Sequence, residues 1–255
     1  MNWKDVTVWQ WQQIQNLLSK EIEGDTELDI AVKTLAILKN QTEAQIDSLS
    51  ISDLKKELEK IKFITTTMPE PKPKDFIKIN GKMYRCIYDI KNLPYARYLE
   101  SKHFGTDISN NLHKIAASMV MPMKLTWRGW KLAKYDASKH EEYANDLLGA
   151  SFESVYGSIV FFLSSICQFD NQFSGLFERE IDKGGIEERG GRINNDNFMR
   201  TYGWIYQASL IAEHERIGLE EVYELKTIQA LNDLSYIKSK NAHELEMHNR
   251  ANGKY

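Results

Sequence analysis

The chain has 255 residues, of which 42% are hydrophobic and 27% charged, and a formal net charge of −3. That balance excludes a largely disordered chain, because the apolar content is high enough to offset the entropy of ordering. Lys and Arg alternate with Asp and Glu almost throughout, which argues against a dedicated nucleic-acid-binding domain with its strong basic bias.

Residues 1–65 read as a small N-terminal helical module. Trp9, Ile14, Leu17 and Leu18 recur at helical spacing until Gly24 ends the pattern. Asp25 or Thr26 can cap a second helix, with Leu28, Val32, Leu35 and Leu38 along one stripe. Thr42 to Ile46 suggests a third, short helix. Ser50, three residues before Asp53, resembles a capping box and opens a fourth, with Leu54, Leu58 and Ile61 on its apolar face. Residues 66–75 carry Pro69, Pro71 and Pro73, three of the five prolines. Proline has no amide hydrogen and favours extended backbone, so this stretch reads as an exposed linker and a domain boundary.

A β-hairpin is expected over 76–90. Phe76 to Ile79 and Lys82 to Tyr88 flank Asn80-Gly81, and Asn-Gly supplies the positive φ angles of a type I′ turn. Residues 91–255 read as a helical main domain. Tyr95, Tyr98 and Leu99 follow Pro94 on one face of a short helix. Thr106 or Asp107 can cap the next, with Ile108, Leu112, Ile115, Ala116 and Met119 inward, and Pro122 ends it. Residues 123–137 fit neither period. Helices are expected over 138–148 and 151–169, the second apolar nearly all round and central. Residues 182–197 form a Gly- and Asn-rich loop. Helices then run from about 196 to 216, before Gly218, and from about 224 into a polar tail. The fold class is therefore mainly α, a multi-helix, bundle-like protein with one hairpin.

Few residues group in a way that chemistry requires. His243 and His248 are five apart, so they diverge by roughly 140° around a helix and cannot share one metal. Glu213-His214-Glu215 spreads its charges over different helix faces. Glu100-Ser101-Lys102-His103 is one Glu-x-x-His where a carboxylate-bridged bundle site needs two. The pairs Gly184-Gly185 and Gly190-Gly191 lack the Lys-Ser/Thr of a phosphate loop. Cys86 and Cys167 are too few for a disulfide framework and read as reduced, buried thiols. No cofactor, metal or catalytic residue is expected, and the chain is not read as an enzyme. Met119, Met121 and Met123 bracket Pro122, with Trp127 and Trp130 just beyond. Methionines at a mobile segment make an adaptable apolar surface, so these five are the candidate partner-binding residues, with core packing as the plain alternative. Met1 to Trp11 is too polar for a secretory leader, and the apolar run Ile159 to Leu163 is too short to span a bilayer. A cytoplasmic protein with no membrane partner is expected.

Several of these patterns together resemble one family. Trp3-Lys4-Asp5-Val6-Thr7-Val8 precedes a helix, followed by Leu28-Asp29, Ala36-Ile37-Leu38, Ile46-Asp47-Ser48-Leu49 and Ile51-Ser52-Asp53-Leu54. After the prolines come Ile79-Asn80-Gly81-Lys82, Asn111 to Ala116, and the apolar helix around Phe161-Phe162-Leu163. In this order the chain is similar to tail assembly chaperones and related tail-module proteins of bacteriophages, especially those of Bacteroidetes-type hosts. The resemblance implies a protein of the infected host's cytoplasm that binds the tape-measure protein, tail-tube subunits or other virion proteins during assembly. It carries over no catalytic residue and leaves self-association open. Two other readings stand beside it: a structural component of the virion, and an enzyme with an unrecognised site.

Overall fold

The computed structural model describes residues 1–19, 26–133, 136–177 and 192–252. It is 70% helical, so mainly α, with one four-stranded antiparallel sheet. The chain divides into two compact units, one formed by Met1–Tyr88 with Glu100–Ser164 and the other by Asp89–Leu99 with Ser165–Tyr255.

The first unit opens with α1 (Val8–Ser19), α2 (Glu27–Lys39), α3 (Glu43–Asp47), α4 (Ile51–Ile61) and α5 (Phe63–Thr66). Their starts follow local chemistry. Thr26 and Thr42 each accept from the third helical amide, and the side chains of Asp29 and Gln45 reach back to the cap amides. Ser50 caps α4 on the amide of Asp53. Asn40 ends α2 in the left-handed conformation. The stripe on α1 differs from the expected one. Val8, Trp11 and Ile14 face the core, while Trp9 and Leu18 face solvent. The reason is that Gln10 and Gln12 are buried too. Gln10 Nε2 donates to the carbonyls of Ile37 and Leu38 at 3.2 and 3.1 Å, in the last turn of α2, where carbonyls lack helical partners. Gln12 Nε2 donates to Ser109 and Asn110. On α2, Val32, Leu35 and Leu38 are buried as expected, and Leu28 is exposed.

Residues 66–75 do not hang free of the first unit. Trp3 Nε1 donates to the Thr67 carbonyl at 2.9 Å, Pro69 is buried, and the Lys74 amide donates to Ser158 Oγ at 2.9 Å. Ser158 lies on α9 (Phe152–Asp170), where Gly157 lets the Lys72 backbone come so close that a Cβ would overlap it.

The hairpin forms as expected, β1 (Phe76–Ile79) and β2 (Lys82–Cys86), with Asn80 at φ 46° and Gly81 at φ 81°. It is half of a larger sheet. After α6 (Tyr95–Phe104) and α7 (Ile108–Met119, capped by Asp107), the stretch that fits neither period becomes β3 (Val120–Thr126) and β4 (Gly129–Leu132). Strand order is β1-β2-β3-β4. Pro122 thus sits inside a strand, opposite Tyr84, and its carbonyl accepts from Ala133 at 2.9 Å. The first unit closes with α8 (His140–Leu148) and the first part of α9. Trp11 stacks on Phe152 with ring centroids 4.8 Å apart, and Trp3 meets the same ring at 5.1 Å. The helical stretch Phe152–Leu176 is long and apolar enough to cross a bilayer by length and composition, and 44% of its 18-residue apolar window is buried inside the protein. Phe152, Val155, Ile159, Phe162, Ile166 and Phe169 are its large buried side chains, while Phe161 is exposed.

In the second unit are α10 (Ser174–Phe177), α11 (Arg192–Glu215), α12 (Leu219–Glu224) and α13 (Thr227–Ala251). Residues 182–191 of the expected loop lie outside the described residues, and 192–197 are helical. The helix expected from about 224 begins at Thr227, and an unexpected short helix, α12, precedes it across a break at Leu225-Lys226. The break is fixed by Tyr95 donating its amide to the Leu225 carbonyl at 2.8 Å and by Thr227 donating amide and hydroxyl to the Leu93 carbonyl. Ala208, Ile211, Val222, Ala230 and Leu231 form its core. Cys86 is buried as expected, whereas Cys167 is exposed.

Candidate functional site

The sheet has two unlike faces, set by strand alternation. Ile77, Ile79, Tyr84, Cys86 and Val120 share the inner face and are all buried. They pack toward α8 and α9. Tyr84 meets Tyr143 edge-on at 6.2 Å, and its hydroxyl donates to the Asp146 carboxylate. Lys82 Nζ pairs with the same carboxylate at 2.6 Å. Burial first, then the Asp146 carboxylate, pushes the Tyr84 hydroxyl far above its ordinary range. Burial likewise raises the Cys86 thiol, so that group is a packed apolar side chain and a poor nucleophile.

The register assigns the other face row by row. Lys78, Met83, Met123 and Leu132 lie side by side across all four strands. Phe76, Arg85 and Met121 form the row on one side, and Leu125 with Trp130 the row on the other. Phe76, Leu125, Trp130 and Leu132 are exposed, with Leu125 at 68%, and the three methionines are half-buried. Large apolar side chains gathered on one exposed face mark an interaction surface. At the β3–β4 turn Trp127 is 87% exposed, and the Arg128 guanidinium lies 4.3 Å from its ring centre. Gly129 takes φ 97° there, a conformation that suits glycine.

The five candidate residues therefore separate. Met121, Met123 and Trp130 share the outer face, and Trp127 stands at its tip. Met119 is fully buried at the end of α7 and belongs to the core. Met121 and Met123 sit on a paired strand. Phe76, Met83, Leu125 and Leu132 complete the face, and sequence reasoning missed them. The signal was present in Leu125, Trp130 and Leu132, but it becomes legible only once β3 and β4 are known to pair.

The charge on the sheet is one-sided. No Asp or Glu occurs in the four strands or the β3–β4 turn, which carry Lys78, Lys82, Arg85, Lys124, Arg128 and Lys131. Among the described residues only Lys82 of these six makes an ion pair. The chain matches no family model, no curated protein and no solved structure.

Among the described residues three further grooves stand out, and one of them, about 660 Å³ in the first unit, is walled mostly by charged side chains, Lys39, Asp53, Lys56 and Glu57 among them; the other two are more apolar. One, of about 420 Å³ in the second unit, is lined by Tyr206, Leu210, Leu234, Ile237 and Leu245. The other, of about 530 Å³ in the first unit, has Ile14, Ile30, Leu58 and Ile61 in its lining. His214, Glu215 and Asp233 bring ligand atoms within 4.8 Å of one another and are the set of described residues that could hold a metal ion. Burial raises the Asp233 carboxyl, and its Oδ2 has no hydrogen-bond partner. His214 and Glu215 are open to solvent, a common arrangement without an ion. His243 and His248 lie on the exposed part of α13.

Proposed function

We propose that this protein acts by binding another protein through the outer face of its sheet, as a bacteriophage tail assembly chaperone that engages the tape-measure protein or tail-tube subunits. The observation that carries the binding half is the solvent-facing apolar face built by Met83, Met123, Leu125, Trp130 and Leu132. The phage half rests on the resemblance of the ordered sequence patterns. Polarizable methionines beside large aromatic side chains suit reversible contact with apolar segments that an unassembled partner exposes. Two of the three grooves are lined largely by aliphatic side chains, which suits contact with apolar segments of a partner.

A photo-crosslinking amino acid at Trp127, in the full chain expressed during infection, tests this reading. Crosslinks to the tape-measure protein or tail-tube subunits are expected, and the protein should be absent from purified particles by mass spectrometry. Replacing Met123, Leu125 and Trp130 together by Thr keeps strand-compatible residues on an exposed face, so the melting temperature should hold while the crosslinks disappear. Abundant peptides in purified particles would instead make the chain a virion component. Crosslinks that survive the triple substitution would remove this face from the mechanism.

A further inference from the structure

We propose that the partner docks as an acidic, extended segment added to the free edge of β4 as a fifth strand; this rests on the reading of the sheet as protein-binding. No described strand pairs with the outer edge of β4. Ala133 donates to Pro122, so by antiparallel alternation Lys131 and Gly129 bond toward β3, whereas the amides and carbonyls of Trp130 and Leu132 point outward. Such a row is a template for another strand. The side chains of the same two residues lie on the apolar outer face beside Leu125, so an added strand would meet backbone partners and apolar contacts together.

Charge chooses the occupant. Lys124 and Lys131 stand directly opposite each other, a like-charge pair that costs stability. With Arg128 at the adjoining turn they put three cations near this edge with no ion pair among the described residues. An incoming strand that alternates carboxylates with apolar residues would set acids beside Lys131, with Lys124 one strand further in on the same face, and its apolar residues beside Trp130 and Leu132 on the other. A second copy of this chain is a poor occupant, because edge-to-edge pairing of β4 sets cation against cation. A single-stranded nucleic acid could stack on Trp127, but it offers nothing to the aliphatic row Met83–Met123–Leu132.

The test titrates the full chain with a synthetic peptide of alternating Glu and Val, its Lys/Val counterpart, and an oligothymidylate. The Glu/Val peptide should bind about tenfold tighter than the Lys/Val peptide, with affinity falling as salt rises. Leu132→Pro removes an outward amide and leaves the β3 ladder intact, so it should weaken binding about tenfold more than Leu132→Ala. Independently of any variant, the peptide should slow hydrogen exchange at the amides of Trp130 and Leu132 and not at Lys131. Equal binding of both peptides, no protection at those two amides, or oligothymidylate displacing the peptide would each overturn strand addition. If that happens while the Trp127 crosslinks persist, only the docking mode fails; if the crosslinks are also missing, the protein-binding reading fails with it.

Discussion

Single residues in this protein work against their averages. Gln10 and Gln12 are polar and buried, and each serves the carbonyls of another segment. Leaving a carbonyl unmet in the interior costs about 1–3 kcal/mol, so a glutamine at a helix end can do more than an aliphatic residue there. Gly157 works by having no side chain. The Lys72 backbone occupies the space a Cβ would need, and backbone atoms cannot swing aside. Gly157→Ala should therefore destabilise the protein by about 1–3 kcal/mol, although alanine normally favours a helix. A lower urea midpoint at unchanged slope would check this, and an unchanged midpoint would show that the Pro-rich segment does not hold its place on α9.

At the scale of elements, helices are joined by side chains at their surfaces as well as by their cores. Glu57 on α4 lies 2.8 Å from Lys39 at the end of α2 and 2.8 Å from Lys60 in its own helix. The hydrogen bond from Lys39, then that from Lys60, lowers the Glu57 carboxyl from its ordinary 4.5 to about 2. A folded value below the unfolded one means the stabilisation is full above about 4.5 and is lost as pH falls toward 2. The group is partly open to water, so screening holds the effect to about 0.5–1 kcal/mol. Glu57→Gln should cost that much at pH 7, and denaturant curves of the two proteins should converge near pH 2. The sheet shows the other kind of joining. Its inner face is closed by aromatic packing and by Asp146, so its outer face is free to present apolar side chains without loosening the core.

For the whole molecule, stability should be unevenly spread. In the first unit α7 is buried at Leu112 and from Ile115 to Met119, and α9 at Phe152, Val155, Ile159 and Phe162. In α13 the buried residues are Thr227, Ala230, Leu231 and Leu234, while residues 241–250 are exposed or half-exposed throughout. A helical stretch of that length is marginal in water without packing. Native-state hydrogen exchange should find the α7 amides opening only with global unfolding, and those of residues 241–250 exchanging orders of magnitude faster. Comparable protection in both would mean that the end of α13 is covered in solution.

Much of this chain could be read without coordinates wherever the cause is local. Thr26, Thr42, Ser50 and Asp107 start their helices through bonds to amides three residues on, and Asn80-Gly81 turns the first hairpin through its own φ angles. Those interactions close within a few residues, so the amino-acid order determines them by itself. What only the tertiary structure decided depends on distant partners. Residues 120–132 carry a proline flanked by Met121 and Met123 and a mixed pattern, and they become strands because β2 offers them an edge. That pairing sends Met121 and Met123 outward with Trp130 and leaves Met119 in the core. A shift of one residue would have reversed every side chain, and no local signal sets that register.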